Sequence, residues 1–146
     1  MARMNISPVG EQLIETFEAF RSVAYPDQRG VWTNGYGHTK DVKEGDTCNQ
    51  AQADAWLEED TANAVAGVNR SLTLLVNQNQ FDALVSFTFN LGITAEGHST
   101  MLRYINNGQL ALAAAEFPKW NHCDGVVDAG LTRRRLAEQK LFGTPV

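Results

Sequence analysis

Glu18-Ala19-Phe20-Arg21-Ser22-Val23-Ala24-Tyr25-Pro26-Asp27-Gln28-Arg29-Gly30-Val31-Trp32-Thr33-Asn34-Gly35-Tyr36-Gly37-His38 is the stretch on which the fold turns. A helical pattern ends inside it and a glycine-rich extended segment begins. Upstream, Ser7-Pro8 reads as a helix start, with serine as the cap and proline at the first helical position. Val9, Leu13, Ile14, Phe17 and Phe20 then recur at helical spacing as one apolar stripe. At about 100° per residue, Glu18 falls about 40° beyond Ile14, at the edge of that stripe, whereas Glu15 points well away. From Ala24 to Thr39, a proline, three glycines and the β-formers Tyr25, Val31, Trp32, Thr33 and Tyr36 predict a small antiparallel sheet. Its turn is expected at Asp27-Gln28-Arg29-Gly30. Strand alternation puts Val31, Thr33, Gly35 and Gly37 on one face, where the glycines leave room for a ligand to approach the backbone.

The rest of the chain reads as helical. Asn49-x-x-Gln52 has the capping-box spacing and predicts a helix to about Val68, with Trp56, Leu57 and Val65 turned inward. The preceding Cys48 is placed to pack on Ala53. Asn77-x-x-Gln80 repeats the spacing before Phe81, Leu84, Val85, Phe87, Phe89 and Leu91, a segment apolar enough all round to be a central buried helix. A short helix is expected between Ser99-Thr100 and Asn107-Gly108, and another from about Gln109 to Phe117, stopped by Pro118. A loop over 121–130 then precedes a last helix from about Thr132 to Phe142. The expected architecture is α+β but mainly helical: a single domain over 1–146, a small sheet-containing lobe at about 21–48, and a helical lobe at about 49–146 that includes the first helix.

Composition narrows the function. With 146 residues, 43% of them hydrophobic and 20% charged, the chain has the makeup of an ordinary globular domain large enough to bury a core. No run approaches the roughly 18 apolar residues of a membrane span. Residues 1–10 hold no apolar signal region, so no export signal is expected. The net charge of −5 is uneven, −7 over residues 1–100 and +2 over 101–146. That is a field able to orient a charged polymer within about 10 Å. No basic stripe with interleaved aromatics appears, which disfavours nucleic acid. Cys48 and Cys123 read as two reduced, structural thiols. His38 lacks the His or Cys partners of a metal site, so neither a metal nor a cofactor is expected.

Glu18, Asp27 and Thr33 are the residues with chemistry to offer. Cleaving a glycosidic bond requires a proton for the leaving oxygen and a nucleophile at the anomeric carbon. Glu18, beside an apolar stripe, suits the acid, since partial desolvation favours its protonated form. Asp27, in a polar turn, stays ionised, and Thr33 could hold a water beside it. Such a pair favours an inverting route.

The spacing Glu-x8-Asp-x5-Thr, with Tyr25 before the aspartate and Gly30 and Gly35-Tyr36-Gly37-His38 around the threonine, resembles the catalytic triplet of the phage-type lysozymes, glycoside hydrolase family 24. The resemblance runs from about Ile14 to Phe142. It includes Gln80 to Phe87, Phe89-Asn90-Leu91-Gly92, Ser99 to Arg103, Ala113 to Trp120 and Gly130 to Glu138, the last two being similar to the lambdoid branch. It implies a lysozyme-like fold and an endolysin that hydrolyses the β-1,4 bond between N-acetylmuramic acid and N-acetylglucosamine in peptidoglycan. Two alternatives are a lytic transglycosylase acting on the same bond and an inactive peptidoglycan-binding domain. The resemblance further implies that Phe89 and Asn90 line the sugar cleft, that His38 is structural and paired with an acidic residue, and that either Arg133 or Arg134 approaches Glu18. For the whole molecule it implies a monomer working on a Gram-negative wall. The protein would stay in the host cytoplasm until a holin releases it to the periplasm.

Overall fold

A computed structural model describes residues 3–27 and 29–146. The first helix, α1 (Pro8–Phe17), begins where Ser7 accepts a hydrogen bond from the Gly10 amide and Pro8 occupies its first turn. It is anchored from outside as well. The fully buried Asp82 accepts from the Ser7 amide at 3.1 Å and also from the Ser7 hydroxyl. The helix ends one turn earlier than the apolar spacing suggested. Glu18 is its C-cap, its amide still bonded to the Ile14 carbonyl, and Phe20 has left the helix to lie 5.8 Å from the Tyr36 ring.

The expected sheet follows, with β1 (Arg21–Pro26) antiparallel to β2 (Trp32–Gly35) and Tyr25 opposite Thr33. The Gly30 amide closes the turn on the Asp27 carbonyl; Gln28, within the expected turn, lies outside the described residues. The other edge of β1 is covered by residues 46–48, through Ala24 to Asp46 and Cys48 to Ser22 backbone bonds.

The long helix α2 (Gln50–Ser71) starts at Asn49, which caps the Gln52 amide. Its fully buried face is made of small residues, Ala53, Thr61, Ala64, Gly67 and Val68, whereas Trp56, Leu57 and Val65 are only half-buried. The reason is closeness of packing: an added Cβ on Gly67 would lie 2.7 Å from Ile93. α3 (Gln78–Leu91) carries the complete capping box at Asn77 and Gln80, and every residue from Phe81 to Thr88 is buried. It is the core helix. Phe87 at its centre meets Phe117 and Trp120 edge-on, at 5.8 and 5.4 Å between centroids. Burying side chains of this size contributes about 1.5–3 kcal/mol each.

The short α4 (Ile93–Gly97), which the sequence did not suggest, follows Gly92, whose φ of 98° only glycine adopts freely. α5 (Thr100–Asn106) is as expected. α6 (Leu110–Ala114) is shorter than expected, because Pro118 does not stop it but sits within a separate 3-10 turn, Phe117–Lys119. The expected loop contains a small hairpin, β3 (His122–Cys123) and β4 (Val126–Val127), turned by the positive-φ residues Asp124 and Gly125. α7 (Ala129–Phe142) begins three residues early because Asp128 caps the Leu131 amide. Both cysteines are free, and Cys48 donates to the Arg21 carbonyl rather than serving a disulfide. No helix among the described residues is long and apolar enough to cross a membrane.

Candidate active site

The end of α1 and the second turn of α7 bring Glu18 and Arg134 together, and the β1–β2 turn carries Asp27 beside Thr33. Glu18 leaves the helix at a point where its carboxylate meets two very different groups. Arg134 Nη1 donates to Oε1 at 2.6 Å, from a guanidinium whose side chain is only 4% exposed. The other oxygen, Oε2, lies over Gly37. An added Cβ there would overlap Oε2 and stand 3.1 Å from Cδ, at a φ of 76°. The glycines of β2 and its turn were expected to admit a ligand; they admit the protein's own side chains instead. Gly37 receives Glu18, and Gly35 receives Ala53 and Trp56 of α2. Gly37→Ala is accordingly expected to cost about 1–2 kcal/mol in backbone strain alone. It should also displace Oε2, so that turnover falls even below the lowered melting temperature; thermal unfolding and rate assays check both.

Asp27 is pinned by its own turn. Its Oδ1 accepts from the Arg29 and Val31 amides at 2.8 and 2.9 Å, and Arg29 Nη2 stands 3.5 Å from Oδ2. Burial pushes the carboxyl up, but the two amides and the guanidinium outweigh it and hold Asp27 below its ordinary value of 3.8. A carboxyl lowered in this way is ionised at neutral pH, and the stability it lends persists until pH falls through its folded value. Thr33, 3% exposed, donates to the Val31 carbonyl at 2.8 Å. The same carbonyl accepts from the Asp27 amide at 2.9 Å. The two residues are therefore joined through Val31 rather than by a direct bond between their side chains. Tyr25 is paired with Thr33 across the sheet, and its hydroxyl is raised by burial first, then by Glu18, with Asp27 adding to it against Arg21.

The supporting residues are resolved as well. His38 Nδ1 lies 2.8 Å from Asp60 Oδ2, and its ring stacks on Trp56 at 4.2 Å, one turn earlier on α2. Of the two candidate arginines, Arg134 reaches Glu18, and Arg133 is exposed. Phe89, half-buried at the end of α3, packs against the core. Asn90 beside it has a buried Oδ1 with no hydrogen-bond partner among the described residues. The sequence reading missed Ser86 and Glu138, which hold Arg134 from behind: Nε is 3.3 Å from Glu138, and Nη2 donates to the Ser86 carbonyl at 3.2 Å. The i,i+4 spacing of Arg134 and Glu138 was a signal for that pair. Two open depressions, of about 620 and 480 Å³, lie elsewhere, and neither is walled by Glu18, Asp27 or Thr33. No group of three potential metal ligands occurs among the described residues.

Residues 15–138 match the family described as phage lysozyme. The chain belongs to the phage lysozyme family. It is 42% identical to an endolysin of Acyrthosiphon pisum secondary endosymbiont phage 1 and 35% identical to that of Salmonella phage P22, each over 95% of this chain and 98% of the other. An endolysin of Bacillus phage PZA is 47% identical over 97% of this chain, which spans 57% of that relative's length. Among solved structures, the muramidase domain of SpmX from Asticcacaulis excentricus superposes with a TM-score of 0.89 at 43% identity, covering 98% of this chain and 100% of that one. A P22 lysozyme mutant gives 0.81 at 34% identity, with coverage of 97% and 99%. As a member of this family, the chain has the lysozyme-like fold, mainly helical with a small antiparallel sheet after the first helix.

Proposed function

We propose that this phage lysozyme family member is an endolysin that hydrolyses the β-1,4 bond between N-acetylmuramic acid and N-acetylglucosamine in peptidoglycan. One observation carries the reading: the family's glutamate is held at the end of α1 between a buried guanidinium and a glycine, while the aspartate that follows it is kept ionised by its own turn. In the proposed reaction, Oε1 of Glu18 is occupied by Arg134, so Oε2 carries the proton and delivers it to the leaving glycosidic oxygen. As that C–O bond breaks, a water attacks the anomeric carbon from the opposite face and gives its proton to Asp27. Thr33 fixes the turn that presents Asp27, through the shared Val31 carbonyl. His38, with Asp60 and Trp56, ties the sheet to α2. Phe89 and Asn90 are assigned to sugar binding, because they match cleft-lining positions of the family.

The chain is taken to act as one monomeric domain with the small lobe at about 21–48, without metal or cofactor. The proposed target is a Gram-negative wall, reached from the host cytoplasm through a holin; an endolysin of Salmonella phage P22 is among the relatives. Digestion of purified peptidoglycan tests the reading. Hydrolysis yields muropeptides with reducing ends, a transglycosylase yields 1,6-anhydro ends, and a binding domain releases nothing. Asp27→Ala should lower release by about 10²-fold or more while the circular dichroism spectrum is kept; undiminished release by a folded Asp27→Ala protein would refute the assignment.

A further inference from the structure

Behind Glu18, Arg134 joins a second buried guanidinium, Arg135, and a further carboxylate, Glu138, neither of which the proposed reaction uses. Arg135 and Glu138 are fully buried; they meet at 2.7 Å through Nε and Oε1 and at 3.1 Å through Nη2 and Oε2. Glu138 Oε2 also accepts from the Ser86 hydroxyl at 2.6 Å. Arg135 lies over the Phe87 ring at 5.2 Å, so its charge has no water to turn to. Arg134 stands between two carboxylates, 2.6 Å from Glu18 on one side and 3.3 Å from Glu138 on the other.

A guanidinium shared by two carboxylates divides its pull according to how well each is compensated elsewhere. Glu138 has a cation of its own in Arg135, and Glu18 does not. Resting on the reading of Glu18 as proton donor, we propose that Glu138 and Arg135 are positioning residues whose pairing sets how firmly Arg134 holds Glu18. Burial raises Glu138 and lowers Arg135; Arg135 and Arg134 draw Glu138 back toward its charged form, whereas Arg135 keeps its charge through Glu138 and against the repulsion of Arg134. Without Arg135, Glu138 turns to Arg134 and the hold on Glu18 weakens. Without the Glu138 charge, both guanidinia act on Glu18 alone.

The other groups around Glu18 and Arg134 are common to every variant of this cluster: Tyr25 on β1, on which Arg21 and Asp27 also act, the Gly37 backbone, and Phe17 of α1, whose ring Arg134 overlies at 5.8 Å. The groups facing Glu138 from α3 are Ser86 and, through Arg135, Phe87.

The pH dependence of kcat/KM on solubilised glycan strands tests this, because activity falls on the alkaline side as the donor loses its proton. Arg135→Met should move that alkaline limb up by about half a pH unit or more, and Glu138→Gln should move it down by a similar amount. The neutral pair replacement, Arg135→Met with Glu138→Gln, should return it close to wild type. A purely structural cluster would lower activity in all three without opposite shifts. If Glu138→Gln does not fold, the upward shift in Arg135→Met and its reversal in the double variant decide alone. Limbs that stay in place, or move together, overturn the proposal. A folded Glu18→Gln protein with undiminished turnover would instead defeat the reading beneath it.

Discussion

Glu18→Gln is expected to lower peptidoglycan hydrolysis by about 10³-fold or more while the protein melts close to the wild-type temperature. General acid catalysis contributes about 10²–10⁴-fold, and an amide cannot deliver a proton to the leaving oxygen. The fold should tolerate the change because the glutamine carbonyl can still accept from Arg134 Nη1, where Oε1 now does at 2.6 Å. The glutamine is neutral, as the protonated donor is, and Glu138 remains within 3.3 Å of Arg134. Loss of rate without loss of structure separates a reacting carboxyl from one that merely ends a helix. Turbidity clearance of cell walls, run beside a thermal melt, measures both.

Arg134→Met is expected to behave differently, lowering stability and turnover together. It removes a guanidinium that bonds in three directions, to Glu18, to Glu138 and to the Ser86 carbonyl, from a site where its side chain is 4% exposed. Breaking a buried charge pair costs about 3–5 kcal/mol. The neighbouring Arg135 keeps Glu138 from being stranded, so the lower end of that range applies, a fall in melting temperature of roughly 10 °C. Turnover measured below the melt should drop by about tenfold or more, because Glu18 loses the contact that fixes Oε1. Arg134→Lys should not rescue it, since one ammonium cannot reproduce three divergent N–H directions. A variant that melts normally and turns over normally would show that Arg134 neither holds nor orients the acid.

What the sequence made legible follows from which interactions are local. Caps are local, and Ser7, Asn49, Asn77 and Ser99 each cap the helix that their spacing suggested. The β1–β2 hairpin was equally readable, because a glycine-rich turn between β-formers has few other solutions. Phe20 kept helical spacing but not helical structure, since its ring finds Tyr36 only once the chain has turned. α7 began before Thr132 because Asp128 caps it, and the hairpin before it rests on one positive-φ pair, Asp124 and Gly125. At the site, the triplet could be named from spacing and resemblance, but the guanidinium beside Glu18 was expected only through the resemblance, which left Arg133 and Arg134 open. The apolar wall expected beside it is joined by a guanidinium from 116 residues away, and no periodicity reports a contact of that span. The same holds for Gly37, expected on the strand face but found beyond the strand at a φ of 76° against Glu18.

The configuration of the newly formed reducing sugar tests the pairing of Glu18 with an Asp27-directed water most directly. Proton NMR during a rapid digest of β-linked glycan strands should show the α-anomer first, with the β-anomer growing in only as the sugar mutarotates. A β-anomer at the earliest times, or a 1,6-anhydro end in its place, would contradict it.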